Sequence, residues 1–500
     1  MSDWFRSDDK ARARLAGETE AGLPIPTRIM SNGEYSPLPQ TVAQRRVEAS
    51  LLDIAEHWAS KLSMDRRSFL KSSFGLAAAF TALNSVFGPS YAVAQDEMAD
   101  AGAAADWAAR HADQFIFDGH LHFVHEDYDW PGILGFRNAA RMMQADGIPQ
   151  RDPGFEDVKF LNFVKEVYFD SDTSVGIIST ATSDDPARRF LSNEQIARDV
   201  ERLNTAAGSR RLMGHAAFHP GAENWWEALE EAIEIHRPIS WKGYTVGDPL
   251  SPTSVAPWRL DDEDLVYPAF ERMVEAGITN VCIHKGLMPA DYTTRMPDLW
   301  PYATVNDVGK AAQDWPQLNF IIYHAALRPV VMFDPGFVQN FEDTGRMEWA
   351  SELADIPAQY GVSNVYADVG TSFGQGAITQ PRLAAALMSI LVRGLGADHV
   401  LWGTDAVWWG APQWQIEAFR RIEVPDDLQE RFGLPPLGPS DGDTKRRIFG
   451  LNSADIYGFS DAERTVAHYA RDRLSQHKAE YRREGADPSN AYYGFITDED

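Results

Sequence analysis

The 500-residue chain has a single cysteine, Cys282, which excludes an intramolecular disulfide and any cysteine-based zinc site. Positive charge is also scarce, with 46 Lys and Arg against 73 Asp and Glu and a formal net charge of -27. That field repels phosphate backbones and anionic lipid, so nucleic acid and membrane surfaces are not expected as partners. Long hydrophobic runs are missing too. The nearest approach, residues 64–95, is diluted by Ser, Thr, Asn and Gly and does not read as a stable membrane span. Histidines number only 13 in all, so where they fall is informative.

What is present is the composition of a large globular core, 44% hydrophobic and 24% charged, with 15 tryptophans. Residues 1–63 read as a polar extension, proline-punctuated at first, with a helical period over Val42–Leu62. In residues 64–95 the pair Arg66-Arg67, then Phe69-Leu70 and Lys71, precedes a mildly apolar run that ends at Ala92-Val93-Ala94. This segment resembles a twin-arginine export signal, with Asp65 where Ser or Thr is usual, and implies a periplasmic protein. The alternative is an internal helix in a cytoplasmic protein. Residues 96–114 read as a linker, and nothing before about Asp96 is expected to be needed for the domain that follows.

From Phe115 the chain alternates short apolar runs with amphipathic helical segments. The runs are "FIFDGHLH", "SVGIIST", "RLMGHAAFH", "ISWKGYTV", "TNVCIHKG", "LNFIIYHAA", "SNVYADVG" and "DHVLWGTD". Apolar strands alternating with helices imply a parallel sheet buried on both faces. Eight such units predict an α/β fold, a closed (β/α)8 TIM barrel over residues 115–459; a doubly wound open sheet is the alternative. The wide first gap, which carries Trp130, Arg137 and Arg141, is expected to be an insertion at the barrel mouth. Residues 460–500 read as a C-terminal helix and tail.

In such barrels chemistry sits where strands end. In "IFDGHLHFVHE" alternation puts Asp118, His120 and His122 on one strand face, with His125 in the loop beyond. Other predicted strand ends carry His219, Lys242, His284, His324 and Asp405. Three imidazoles plus one carboxylate suit zinc or a similar divalent ion, with room for one water.

The motifs "DGHLH", "CIHKG", "FIIYHAA" and "LWGTDAVW", in that order, with "KRRIFGLNSADIYGF" as a closing helix, resemble the amidohydrolase superfamily. The resemblance is to the amidohydrolase-related branch that includes aminocarboxymuconate semialdehyde decarboxylase and resorcylate decarboxylases. It implies one divalent metal, zinc first, held by His120, His122, His284 and Asp405. It also implies catalytic roles for His324, as acid/base, and for Asp405. Asp118 is expected to orient the strand-1 ligands. Lys242 is expected at the substrate, the alternative being the carboxylated bridging lysine of binuclear relatives. His219, Tyr244, Arg328, Trp408 and Trp409 are further candidates for the substrate pocket. A small-molecule substrate is implied, and a homodimer would be in keeping with relatives. Two activities share this residue set: hydrolysis of an amide, ester or lactone, and non-oxidative decarboxylation of an aromatic or unsaturated acid.

Overall fold

A computed structural model describes residues 23–27, 40–129, 155–181, 183, 185, 187–248, 256–330, 332, 334–408 and 410–485. Trp130, Arg137, Arg141 and Trp409 lie outside the described residues. Eight parallel strands follow one another in chain order around a barrel. They are β1 (Phe117–Leu121), β2 (Val175–Ile178), β3 (Leu212–Phe218), β4 (Ser240–Tyr244), β5 (Asn280–His284), β6 (Asn319–Tyr323), β7 (Val365–Asp368) and β8 (Val400–Leu401). The ring closes through backbone bonds between β1 and the segment after β8: Gly119 N–H to Trp402 O at 2.9 Å, Asp405 N–H to His120 O at 2.9 Å, and His122 N–H to Ala406 O at 2.6 Å.

The strands read as nearly unbroken apolar runs because both of their faces are covered. Facing inward, Phe117, Ile177, Met213, Cys282, Ile321 and Leu401 fill the lower barrel, and Tyr457 and Phe459 of the closing segment pack against them. Cys282 is a buried free thiol whose Sγ lies 3.6 Å from the Tyr457 hydroxyl. Outward residues such as Val281, Ile283, Phe320 and Ile322 join the larger core beneath the helices.

Strict alternation fails in β1. Pairing with β2 matches Asp118 to Gly176 but Leu121 to Ile178, so one extra residue is accommodated between them. This bulge lets Phe117 and His120, an odd number apart, both face the barrel interior. Asp118 is therefore not on the face shared by His120 and His122, contrary to the expectation from a regular strand. Its carboxylate turns to the β8 side, where it accepts from the backbone N–H of Thr404 at 3.1 Å and from the Thr404 hydroxyl.

Residues 64–95 are folded onto the barrel. Helices α1 (Val42–Lys61), α2 (Arg66–Leu70) and α3 (Ser73–Phe87) pack together. Helix α1 opens with a capping box between Thr41 and Gln44 and buries Val47, Leu51, Ala55 and Ala59 along one stripe. Arg66 and Arg67 are exposed, whereas Phe69, Leu70, Ala77, Phe80 and Leu83 are buried in the same core as the barrel helices. The chain beyond α3 is tied down by Ala92 N–H to Arg421 O at 2.8 Å and by the Tyr91 hydroxyl to Ala377 O at 2.6 Å. Arg421 pairs with Glu97 at 2.7 Å and stacks its guanidinium 3.8 Å from the Trp107 ring. Among the described residues no helix is long and apolar enough to cross a membrane.

That packing makes a prediction opposite to the one the sequence suggests. A chain beginning at Asp96 would uncover the apolar surface under α3, so it should melt below the full chain and bind a hydrophobic dye. Leu83→Ala in the full chain should cost about 2–5 kcal/mol in denaturant unfolding. A truncated chain that melts with the full one would show α1–α3 to be dispensable cover.

Candidate metal centre

The C-terminal ends of β1 and β8 bring His120, His122 and Asp405 together. One ligand atom from each lies within 4.8 Å of the other two, and the three side chains are 1–4% exposed. His120 Nδ1 is 2.9 Å from Asp368 Oδ1, an oxygen that also accepts Gly370 N–H at 3.0 Å. An oxygen already taking one N–H is an acceptor, so His120 donates from Nδ1 and keeps its lone pair on Nε2. Burial, followed by the positive charge of Lys242, holds the His120 pKa well below the usual imidazole range and disfavours a second proton.

That lone pair has a consequence. His120 Nε2 lies 3.5 Å from Asp405 Oδ1, and His122 Nε2 lies 3.2 Å from the same oxygen. A lone pair set against a carboxylate oxygen in a buried pocket is repulsive unless a cation or proton lies between them. Two imidazole nitrogens and a carboxylate oxygen converging in this way fit a divalent ion.

His284 ends β5 just outside the three-residue cluster. Its ring stacks on Tyr244, with centroids 4.7 Å apart, and meets His324 edge-on at 4.6 Å. His324, directly after β6, has its ring 4.9 Å from that of His120. Its Nδ1 is 2.8 Å from Gly370 O, an obligate acceptor, so Nε2 is the nitrogen able to take a proton. Trp408 is buried and stacks along His122, with centroids 5.7 Å apart.

Lys242 is wholly buried, with its ammonium 3.5 Å from the centre of the Tyr323 ring and 4.9 Å from that of Tyr244. Strand register pairs Tyr244 with His284 and Lys242 with Cys282. Tyr244 thus stands at ligand height on β4, and Lys242 one inward-facing position below it. Arg328 has its guanidinium committed to Glu348 at 2.7 Å and Asp334 at 3.4 Å. His219 lies in the turn after β3, where its carbonyl accepts from Ala222 N–H at 3.2 Å. Besides its contact with Thr404, Asp118 accepts from His120 N–H at 3.1 Å. Burial pushes its pKa up to about 7 against the pull of those hydrogen bonds.

Several residues at the centre were not singled out from the sequence. Asp368 ends β7, and burial drives its pKa well above the carboxylate range. Thr371, three residues on, donates its hydroxyl to Asp405 Oδ2. Tyr323 packs its ring 4.1 Å from His120 and donates to Gly119 O at 2.7 Å. Beneath it His215 spans Tyr323 Oη at 2.7 Å and Ser240 Oγ at 2.6 Å. The available signal is a carboxylate at the end of a predicted strand, in "VYADVGTS".

The loops above the barrel hold unusual backbone. Leu287 after β5, His324, Ala325 and Ala326 after β6, Thr371 after β7 and Asp405 after β8 all have φ between +50° and +60°. Each costs of order 1–3 kcal/mol and persists only where its surroundings enforce it. Their gathering at one rim, with His324, Thr371 and Asp405 among them, marks that rim as the working end.

The family model described as amidohydrolase matches residues 117–459. No match was found among curated protein sequences. Among solved structures, similarity extends to an uncharacterized TIM-barrel protein of Bordetella bronchiseptica, at 14% identity over 71% of this chain and 99% of that one, with TM-score 0.40. The 5-carboxyvanillate decarboxylase of Novosphingobium aromaticivorans, with bound manganese, is 12% identical over 69% of this chain and 97% of its own, with TM-score 0.40. The 2,6-dihydroxybenzoate decarboxylase of Rhizobium is 11% identical over 69% and 99%, with TM-score 0.36. With its match running from the first barrel strand through the closing segment, the chain belongs to the amidohydrolase family and is an enzyme of that metal-dependent superfamily.

Proposed function

We propose that the protein is a metal-dependent hydrolase in which water attacks an amide, ester or lactone. The observation that carries this reading is His324, whose Nδ1 is anchored on Gly370 O at 2.8 Å and whose ring adjoins those of His120 and His284. A neutral imidazole held in that tautomer is a proton acceptor at the place where a nucleophilic water is needed.

His120, His122 and Asp405 would hold the ion, with His284 as a fourth donor beside them. A set of imidazole nitrogens and one carboxylate oxygen suits zinc first among the divalent ions. When bound, such an ion supplies Lewis acidity that lowers the pKa of water from 15.7 towards about 7.

The remaining work falls to the chain. His324 takes a proton from the attacking water and returns it to the leaving group. The Thr371 hydroxyl occupies Asp405 Oδ2 and leaves Oδ1 turned towards the two histidines. Tyr244 and Trp408 flank the centre through their stacking on His284 and His122, so a flat acyl group would lie between aromatic walls. Lys242 puts a buried positive charge below that level and favours an oxygen gaining negative charge in the transition state.

Two tests follow. Purified protein should contain about one divalent ion per chain; His122→Ala and Asp405→Ala should lose it together with activity, as read by elemental analysis. Two ions per chain with a carboxylated Lys242 would favour the bridged pair. His324→Asn should keep its metal and lose about 10²–10⁴-fold in turnover; loss of metal in that variant would make His324 a ligand. A panel of amides, esters, lactones and aromatic acids, monitored for both hydrolysis and carbon dioxide, decides the reaction class. Carbon dioxide release from an aromatic or unsaturated acid, with no hydrolysis, would reassign the enzyme as a carboxy-lyase.

A further inference from the structure

We infer that the segment Asp368–Ser372, "DVGTS", is an orienting device for the metal centre, with Asp368 and Thr371 as its positioning residues. The inference rests on the reading of His120, His122 and Asp405 as a metal site.

Four of the five residues Asp368–Ser372, a segment that begins at the last position of β7, contact three different site residues. Asp368 Oδ1 accepts from His120 Nδ1 at 2.9 Å, and Gly370 N–H fixes that same oxygen at 3.0 Å. The other end of residue 370, its carbonyl, accepts from His324 Nδ1 at 2.8 Å. The Thr371 hydroxyl donates to Asp405 Oδ2, and the Ser372 hydroxyl donates to His324 O at 2.7 Å. One short stretch of chain therefore sets the tautomers of two histidines and directs one oxygen of the carboxylate. Hydrogen-bond partners behind ligating groups do this generally, and their loss typically weakens metal affinity 10–100-fold.

Two glycines show that this arrangement is close-fitted. A Cβ on Gly370 would lie 2.5 Å from His120 Nδ1, and one on Gly403 would lie 2.1 Å from Asp368 Oδ2 and 2.7 Å from His120 Cβ. Neither glycine has a positive φ, so backbone conformation does not require glycine at either place. Their role is space: a side chain at either position would push Asp368 and His120 apart. Asp368 Oδ2, pressed against Gly403, has no hydrogen-bond partner among the described residues. Both hydrogen bonds to this carboxyl fall on Oδ1. Thr371 carries the complementary sign, holding φ at +58° while its hydroxyl reaches Asp405.

The test is zinc affinity of the metal-free full-length protein, measured against a competing chelator, which reads the site without turnover. Asp368→Ala should bind about 10–100-fold more weakly. Asp368→Asn should recover most of that loss, because its amide oxygen can still accept from Gly370 N–H and His120 Nδ1–H. Thr371→Val, isosteric and able to keep the fold, should weaken binding by about 10-fold. Nitrogen NMR of histidine-labelled, metal-free wild type, assigned with His120→Gln, should find His120 as the Nδ1–H tautomer. Wild-type affinity in both Asp368→Ala and Thr371→Val, or an Nε2–H tautomer at His120, overturns the inference. If Asp368→Ala does not fold, Thr371→Val and the tautomer decide it. A wild type that takes up no divalent ion is a different failure, that of the metal site itself.

Discussion

The seam between β1 and β8 is the constraint on which the rest of the molecule depends. Its backbone bonds close the barrel, and the residues making them are the ones that converge at the rim. His120 receives the Asp405 amide on its own carbonyl, and His122 donates its amide to Ala406 O. Ring closure and the meeting of two imidazoles with a carboxylate are thus a single event. Asp118 reinforces the seam from the side, bonded at once to the His120 amide and to Thr404. The β-bulge in β1 then gives both histidines access to the interior.

Around that seam the strand ends divide the labour. Strands β1 and β8 furnish the donors, β5 and β6 add His284 and His324, and β7 furnishes the groups that hold the others in place. Below, Tyr323, His215 and Ser240 form a hydrogen-bonded floor above the apolar plug. The left-handed residues of the β5–β8 loops are tolerated because a rigid ring of strands supports them on every side.

Much of this was legible in the sequence, for physical reasons. Strands buried on both faces announce themselves as apolar runs, so all eight were placed within two residues of where they begin. The fold followed from their alternation with helices. His120, His122 and Asp405 were legible because polar side chains at the ends of apolar strands conflict with the local pattern. Asp118 was placed on the wrong face, since a single inserted residue changes strand parity without leaving a compositional trace. Asp368 and Thr371 were missed because an acid and a hydroxyl after a strand look like ordinary turn chemistry. Arg328, a candidate for the substrate pocket, is engaged by Asp334 and by Glu348, pairings that neither a strand nor a helix period displays. The helix Ser73–Phe87 reads as an export leader or as an internal helix alike, because an uncharged, mildly apolar helix has the same composition in either role.

His120 stands near the start of the barrel and Asp405 near its end, and this separation orders events in the cell. Almost the whole domain must leave the ribosome before the two can meet, since domains fold largely as units. A nascent chain therefore carries imidazoles that are not yet gathered, a weak claim on any ion, while the carboxylate is still to be translated. The choice of metal is deferred to the finished barrel and to whatever ion is in supply where the last strand docks.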